Sequence, residues 1–62
     1  MHDVNAMADS VRESCIDAAI RAYEDAGISG LCAEGRWELA VQAMRELDTD
    51  SIVSSALKGT QD

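Results

Sequence analysis

Apolar residues recur at intervals of three and four along the first half of the chain, which is the spacing of one face of an α-helix. We predict a first helix from about Asp9 to Ala26, capped by Ser10, because Glu13 completes the capping-box pattern. An earlier start, with Asp3 or Asn5 as the cap, stays open. The stripe expected to face the core consists of Cys15, Ile16, Ala19, Ala22, Tyr23 and Ala26.

A second helix follows a short turn over residues 28–30. Gly27 is placed to close the first helix, and Ser29 is a suitable N-cap for the second. The second helix begins at either Leu31 or Arg36 and runs to about Leu47. Its predicted apolar stripe consists of Trp37, Ala40, Val41, Met44 and Leu47.

A short third helix, of about two turns, is predicted after a run of turn and cap residues over 48–51. Ile52, Val53 and Leu57 would form its apolar side and cover one end of the helical hairpin. The predicted fold is therefore all-α: a helical hairpin with a short third C-terminal helix, in one small domain over residues 1–62. Residues 1–8 and 59–62 are expected to be frayed, and pairing of two hairpins would give a four-helix bundle.

The composition limits the size of the core. The chain has 62 residues, with one Trp, one Tyr and no Phe. Small chains bury little surface, and large aromatic side chains contribute the most buried area per residue. A core that depends on Ala, Leu, Ile, Val and Met in so short a chain favours stabilisation by association with another chain.

The charge narrows the class of partner. Twelve acidic and five basic residues give a formal net charge of −7. This charge disfavours direct binding to nucleic acid or to an anionic membrane surface. The segment Met1–Asp9 is acidic and lacks the apolar stretch of a signal peptide, so we expect a cytoplasmic protein with reduced cysteines.

The two cysteines are expected to act as small buried hydrophobic residues. In an antiparallel hairpin, Cys15 and Cys32 differ in height by roughly 15 Å at 1.5 Å per residue. A disulfide requires Cα atoms within about 7 Å, so a bridge within the chain conflicts with the predicted fold. A redox or intermolecular role for Cys32 is the alternative, because it lies near a helix N-terminus.

We expect no metal, no cofactor and no catalytic activity. The one histidine, His2, lies at the N-terminus, and the cysteine spacing is not that of a zinc site. Asp48 and Asp50 resemble the opening of a calcium loop, but Val53 occupies the position that requires glycine. A hairpin of this size can hardly enclose a pocket in which a general acid or base is tuned.

The stretch Gly30-Leu31-Cys32-Ala33-Glu34-Gly35-Arg36-Trp37-Glu38 resembles one in short bacterial helical proteins of unknown role. The likeness would span residues 15–48, and it implies a compact helical protein. Some of those proteins carry acetyltransferase labels. We do not expect that activity here, because this chain is too short to build an acyl-CoA pocket.

The function predicted from the sequence is a non-catalytic protein-interaction module, which self-associates as a homodimer or docks as a small acidic subunit or regulator on a larger protein. Aromatic residues dominate interface hot spots, so Tyr23 and Trp37 are the expected anchors. The alternative is that Trp37 is simply the largest core residue. The predicted apolar interface consists of Tyr23, Trp37, Val41 and Met44, and its predicted charged rim consists of Glu24, Asp25, Glu34 and Glu38.

A second interpretation starts from the charge alone. An acidic chain can inhibit a partner by mimicking nucleic acid and blocking a basic surface. Such binding weakens steeply with salt, whereas an apolar interface tolerates salt.

Overall fold

The computed structural model of the chain describes residues 4–59 and contains three helices. These are α1 (Val4–Ile28), α2 (Ala33–Arg45) and α3 (Thr49–Gly59). No strand occurs in this part of the chain. The prediction of an all-α fold with a hairpin and a third C-terminal helix is confirmed.

Helix α1 is the element on which the other two helices pack. Both α2 and α3 contact α1, and within the described range they do not contact each other. At 1.5 Å per residue, α1 is about 37 Å long, and α2 and α3 together have nearly the same length. The prediction that the third helix covers the end of the hairpin is therefore wrong. After the bend at residues 46–48, α3 instead lies beside the part of α1 that α2 leaves uncovered.

The first helix begins earlier than the capping-box pattern indicated. Val4 is its first residue, so Ser10 and Asn5 both lie inside it and neither is its N-cap. Ser10 is half-buried and lines a hollow against α3. Residues 4–8, for which we expected fraying, are part of α1. The alternative cap Asp3 and the ends 1–3 and 60–62 lie outside the described residues.

Gly30, and not Gly27, closes the first helix. Gly30 has φ +90°, a conformation that glycine adopts without strain. Its N–H donates to the Gly27 carbonyl, and the N–H of Leu31 donates to the Ala26 carbonyl, both at 3.0 Å. This is the Schellman arrangement. It places Ser29 at the end of α1, and Ser29 is therefore not the N-cap of α2.

The second helix begins at Ala33, between the two predicted starts at Leu31 and Arg36. Its N-cap is Cys32, whose extended backbone has no side-chain capping hydrogen bond. The helix ends at Arg45, two residues before the predicted end at Leu47, because the chain bends at 46–48. Leu47 is half-buried in this bend.

The third helix has a well-formed N-cap. The Ser51 hydroxyl donates to one carboxylate oxygen of Asp48 at 2.7 Å, and the Ser51 N–H donates to the other at 3.1 Å. These bonds account for the acidic residue at the start of α3 without a metal ion. The helix has eleven residues, about three turns, and is thus one turn longer than predicted.

The buried core consists of very small side chains. Of the described residues, only Ala26 on α1 and Ala40 on α2 are buried, each 3% exposed. The accessible surface is 4766 Å², whereas a compact monomer of this mass exposes about 3,900 Å². The radius of gyration is 14.2 Å, against about 10–11 Å for a compact domain of this length. The fold is therefore elongated and leaves much apolar surface in contact with water.

Two Gly→Ala substitutions are expected to change stability in opposite directions. A Cβ at Gly30 meets no atom within 4 Å, so its cost comes from the positive φ alone, about 1–2 kcal/mol. A Cβ at Gly35 makes ordinary contacts with Leu31, and alanine raises helix propensity there by up to about 1 kcal/mol. Urea unfolding of G30A and G35A measures both. A loss of stability in G35A as large as that in G30A would contradict this account.

Acid is expected to weaken the start of α3. The hydrogen bonds from the side chain and the backbone of Ser51 lower the pKa of Asp48. A group with a lowered pKa stabilises the fold above its ordinary pKa, about 3.9 for Asp, and loses that contribution as the pH falls through the lowered value. Comparison of native protein with Asp48→Asn between pH 2 and pH 6 tests this by thermal unfolding.

An asparagine at this position would keep the cap without titrating. The unfolding temperature should therefore fall less between pH 6 and pH 2 in Asp48→Asn than in the native chain. Identical pH profiles for the two proteins would show that the cap does not contribute.

Candidate interaction surface

Over residues 14–23, helix α1 presents its small residues to the other helices and its large apolar residues to solvent. The half-buried positions along α1 include Ser14, Cys15, Ala18, Ala19 and Ala22. In contrast, Ile16, Ile20 and Tyr23 are 44%, 51% and 39% exposed. The predicted core stripe is thus correct for its cysteine and alanines and wrong for Ile16 and Tyr23. These two residues lie on the neighbouring side of the helix, together with Ile20.

Trp37 lies beside this exposed stripe. It is 61% exposed, so the alternative in which Trp37 is the largest core residue is wrong. An open hollow of about 350 Å³ between α1 and α2 is lined by Ile20 and Tyr23 from α1 and by Trp37 from α2, with buried Ala40 at its base. Ile16 precedes Ile20 by one helical turn. We call Ile16, Ile20, Tyr23 and Trp37 the Trp37 face.

Of the other two predicted interface residues, Val41 lies at the edge of this face. Val41 follows Trp37 by one helical turn, and both line a second hollow on α2. Both Val41 and Met44 are half-buried. The structure therefore brings Tyr23 and Trp37 together, places Val41 next to Trp37, and leaves Met44 partly covered within the helix packing.

The predicted acidic rim divides between the two sides of the helix pair. Glu24 lines the hollow of the Trp37 face, and Glu38 lines the hollow on α2 beside Trp37. Glu34 is exposed, one turn before Trp37. Asp25 lines a different hollow, together with Leu31 and Leu39, so its assignment to the rim of the Trp37 face is wrong.

Several exposed apolar residues fall outside the predicted stripes, and Ile20 and Leu39 are two of them. A prediction of one apolar stripe for each helix excludes Ile20, although Ile16, Ile20 and Tyr23 follow helical spacing on their own. The predicted α2 stripe also excludes Leu39, which is 39% exposed on the opposite side of the helix pair. Recognition of a second stripe on each helix would have identified both residues.

Arg36 connects the end of α1 to the Trp37 face. Its guanidinium carbon lies 5.6 Å from the centre of the Tyr23 ring, and its Nε donates to the Leu31 carbonyl at 3.1 Å. A Cβ on Gly27 would lie 2.8 Å from that guanidinium carbon, so any larger residue there would displace the end of the Arg36 side chain. The last turn of α1 has no basic residue, and Arg36 supplies positive charge near this helix end, where it is favourable.

The cysteines differ in their surroundings. Both are free; Cys15 is half-buried and Cys32 is exposed. The prediction that both are buried is therefore wrong for Cys32, because the turn places it at the N-cap of α2, where the chain leaves the helix packing.

The hollow between α1 and α3 is lined by hydroxyls and small apolar groups. Its lining residues carry no ionisable side chain, and they are Ser10, Ser14, Ser51, Ile52, Ser55 and Ala56. Over residues 4–59, no group of three or more His, Cys, Asp or Glu side chains could hold a metal ion. His2 lies outside the described residues.

No family model matches the chain, and neither the curated proteins nor the solved structures include one that matches it significantly. The resemblance of residues 30–38 to short bacterial helical proteins stays a prediction. Within the described residues, no helix has the length and apolar character needed to cross a membrane.

Replacement of Arg36 by Lys is expected to destabilise the hairpin by about 1 kcal/mol, because lysine has no guanidinium to place over Tyr23 and no Nε–H to donate to the Leu31 carbonyl. Arg45→Lys, at an exposed site near the end of the same helix, is the matched control and should be close to neutral. Urea unfolding compares the two variants. Equal stabilities would mean that Arg36 does not contribute to the packing of α1 against α2.

Proposed function

We propose that this protein is a non-catalytic protein-interaction module and that the Trp37 face is its working surface. The observation that carries the proposal is the exposure of Trp37 and Ile20 beside a core in which only alanines are buried. Chains normally cover their largest apolar side chains, and contiguous exposed apolar patches mark sites of association.

The amount of exposed surface supports the same proposal. The chain exposes about 900 Å² more than a compact monomer of its mass, and a protein–protein interface of standard size buries about 800 Å² on each partner. If a partner covered one face of the chain, the accessible area left would thus be close to that of a compact protein of the same mass. The same association would supply the stability that a small alanine core lacks.

The proposal covers two modes of association that follow from the sequence. In one, two copies pair as a homodimer and form a four-helix arrangement. In the other, the chain docks as a small acidic subunit or regulator on a larger protein. A cytoplasmic location is part of the proposal, and it is consistent with two free cysteines.

A second candidate function is supported by the distribution of charge. All ten acidic side chains in the described range are exposed, as an inhibitor that mimics nucleic acid requires. Such a protein would use its carboxylates and not its apolar face. Loss of binding at high salt, with no effect of substitutions on the Trp37 face, would favour this candidate over the first.

The first test compares Ile20→Glu with Ile28→Glu in the native host. Both substitutions place the same charge on an exposed isoleucine of α1, but only Ile20 belongs to the Trp37 face. Each tagged chain is purified, its complexes are measured by light scattering, and bound chains are identified by mass spectrometry.

The proposal predicts that association, with a second copy or with another protein, survives in Ile28→Glu and is lost in Ile20→Glu. Far-UV circular dichroism checks that both variants stay helical. Association that is identical in the two variants, or no association of the native chain at all, would contradict the proposal.

A further inference from the structure

We propose that α3 is a releasable helix, which separates from α1 as a unit while α1 and α2 stay packed. Its release uncovers the N-terminal part of α1. This inference is independent of the proposed function, because the hollow of the Trp37 face is lined by residues of α1 and α2 alone.

Helix α3 is held by less packing than α2. Both helices contact α1, but the contact between α1 and α2 is the more extensive, and α3 does not contact α2 within the described range. The two buried residues of that range, Ala26 and Ala40, belong to α1 and α2. None of the described side chains of α3 is buried. Its apolar residues are half-buried, and they are Ile52, Val53, Ala56 and Leu57. Because hydrophobic stabilisation follows the area removed from water, α3 is the less strongly held of the two helices.

The contact between α1 and α3 also includes hydroxyl groups. An open hollow of about 470 Å³ lies along it, and four of its six lining residues are serines. Ser10 and Ser14 belong to α1 and are half-buried, and Ser51 and Ser55 belong to α3. A hydroxyl that is withdrawn from water gives up hydrogen bonds to solvent, which offsets part of the gain from packing. Release of α3 returns these hydroxyls to water.

The bend at residues 46–48 lets α3 move without disturbing α2. On the α2 side, the Leu47 N–H donates to the Met44 carbonyl. On the α3 side, the Ser51 N–H donates to the Asp48 carboxylate. These bonds lie on separate sides of the peptide that joins Leu47 to Asp48, so movement of α3 about the bend breaks neither of them.

A released α3 loses its helical structure. It has eleven residues, and isolated helices of this length are marginal in water. Its backbone amides therefore become open to exchange with solvent when it leaves α1, and Ser10 and Ser14 are uncovered at the same time. Such local opening requires less free energy than global unfolding. The chain thus has two states that differ at the N-terminal part of α1 and share the same Trp37 face.

Amide hydrogen exchange of the full chain, followed residue by residue by NMR, tests this inference with two variants. Gly30→Ala strains the turn between α1 and α2, because Gly30 has a positive φ. Asp48→Ala removes the N-cap of α3. The protection factors of the amides in the three helices are compared between the native chain and each variant.

In the native chain we expect the amides of α3 to be protected at least about tenfold less than those of α2. Gly30→Ala should lower the protection of α2 about five- to thirtyfold and leave that of α3 unchanged, because the strained turn is present both before and after α3 leaves. Asp48→Ala should lower the protection of α3 about fivefold, which identifies the amides that report its release. If Gly30→Ala does not fold, Arg36→Lys takes its place, with a loss of about fivefold expected in α2.

Three results would overturn the inference. Equal protection of α2 and α3 in the native chain would show that the chain opens as one unit. A loss of protection in the hairpin variant that is the same in all three helices would show the same. Absence of measurable protection in α1 and α2 would mean that the hairpin is no more stable than α3. Association through the Trp37 face is measured separately, so none of these results decides the proposed function.

Discussion

The contact between two helices through alanine determines the rest of this structure. Ala26 and Ala40 are the two buried residues of the described chain, and neither has a side chain longer than one carbon. Because the helices meet through small groups, the larger apolar residues on either side of the contact are not covered. Ile20, Tyr23 and Trp37 therefore form the walls of an open hollow and not the centre of a core. The same packing explains the large exposed surface and the elongated shape.

The turn between α1 and α2 fixes the relative position of the two walls. Gly30 adopts the positive φ that ends α1, and Gly27 leaves room for the guanidinium of Arg36. Arg36 then contacts Tyr23 from α1 and the Leu31 carbonyl in the turn. Two glycines and one arginine thus hold the aromatic residues of the two helices on the same side of the hairpin.

The sequence predicted the helices better than it predicted their packing. Helical spacing and turn residues identified three helices, because these signals are local. The predicted ends of the helices were less accurate. Ser10 and Gly27 are residue types typical of helix caps, but Ser10 lines the hollow against α3, and the guanidinium of Arg36 lies beside Gly27. Tyr23 and Trp37 line one hollow, as expected, together with Ile20, whereas Asp25 lines a different one. These positions are hard to predict because an apolar pattern does not tell which of two adjacent stripes faces the neighbouring helix, and the interface itself stays a prediction.

The central claim is that Trp37 lies on the surface of the free chain and that alanines form the core. The most direct test is the fluorescence of this single tryptophan in the purified chain, measured as emission maximum and as quenching by acrylamide over a range of protein concentrations. The account predicts emission typical of a solvent-exposed indole and efficient quenching in dilute folded protein. Emission typical of a buried indole, with strong protection from acrylamide at the lowest concentrations, would place Trp37 in the core and contradict the account.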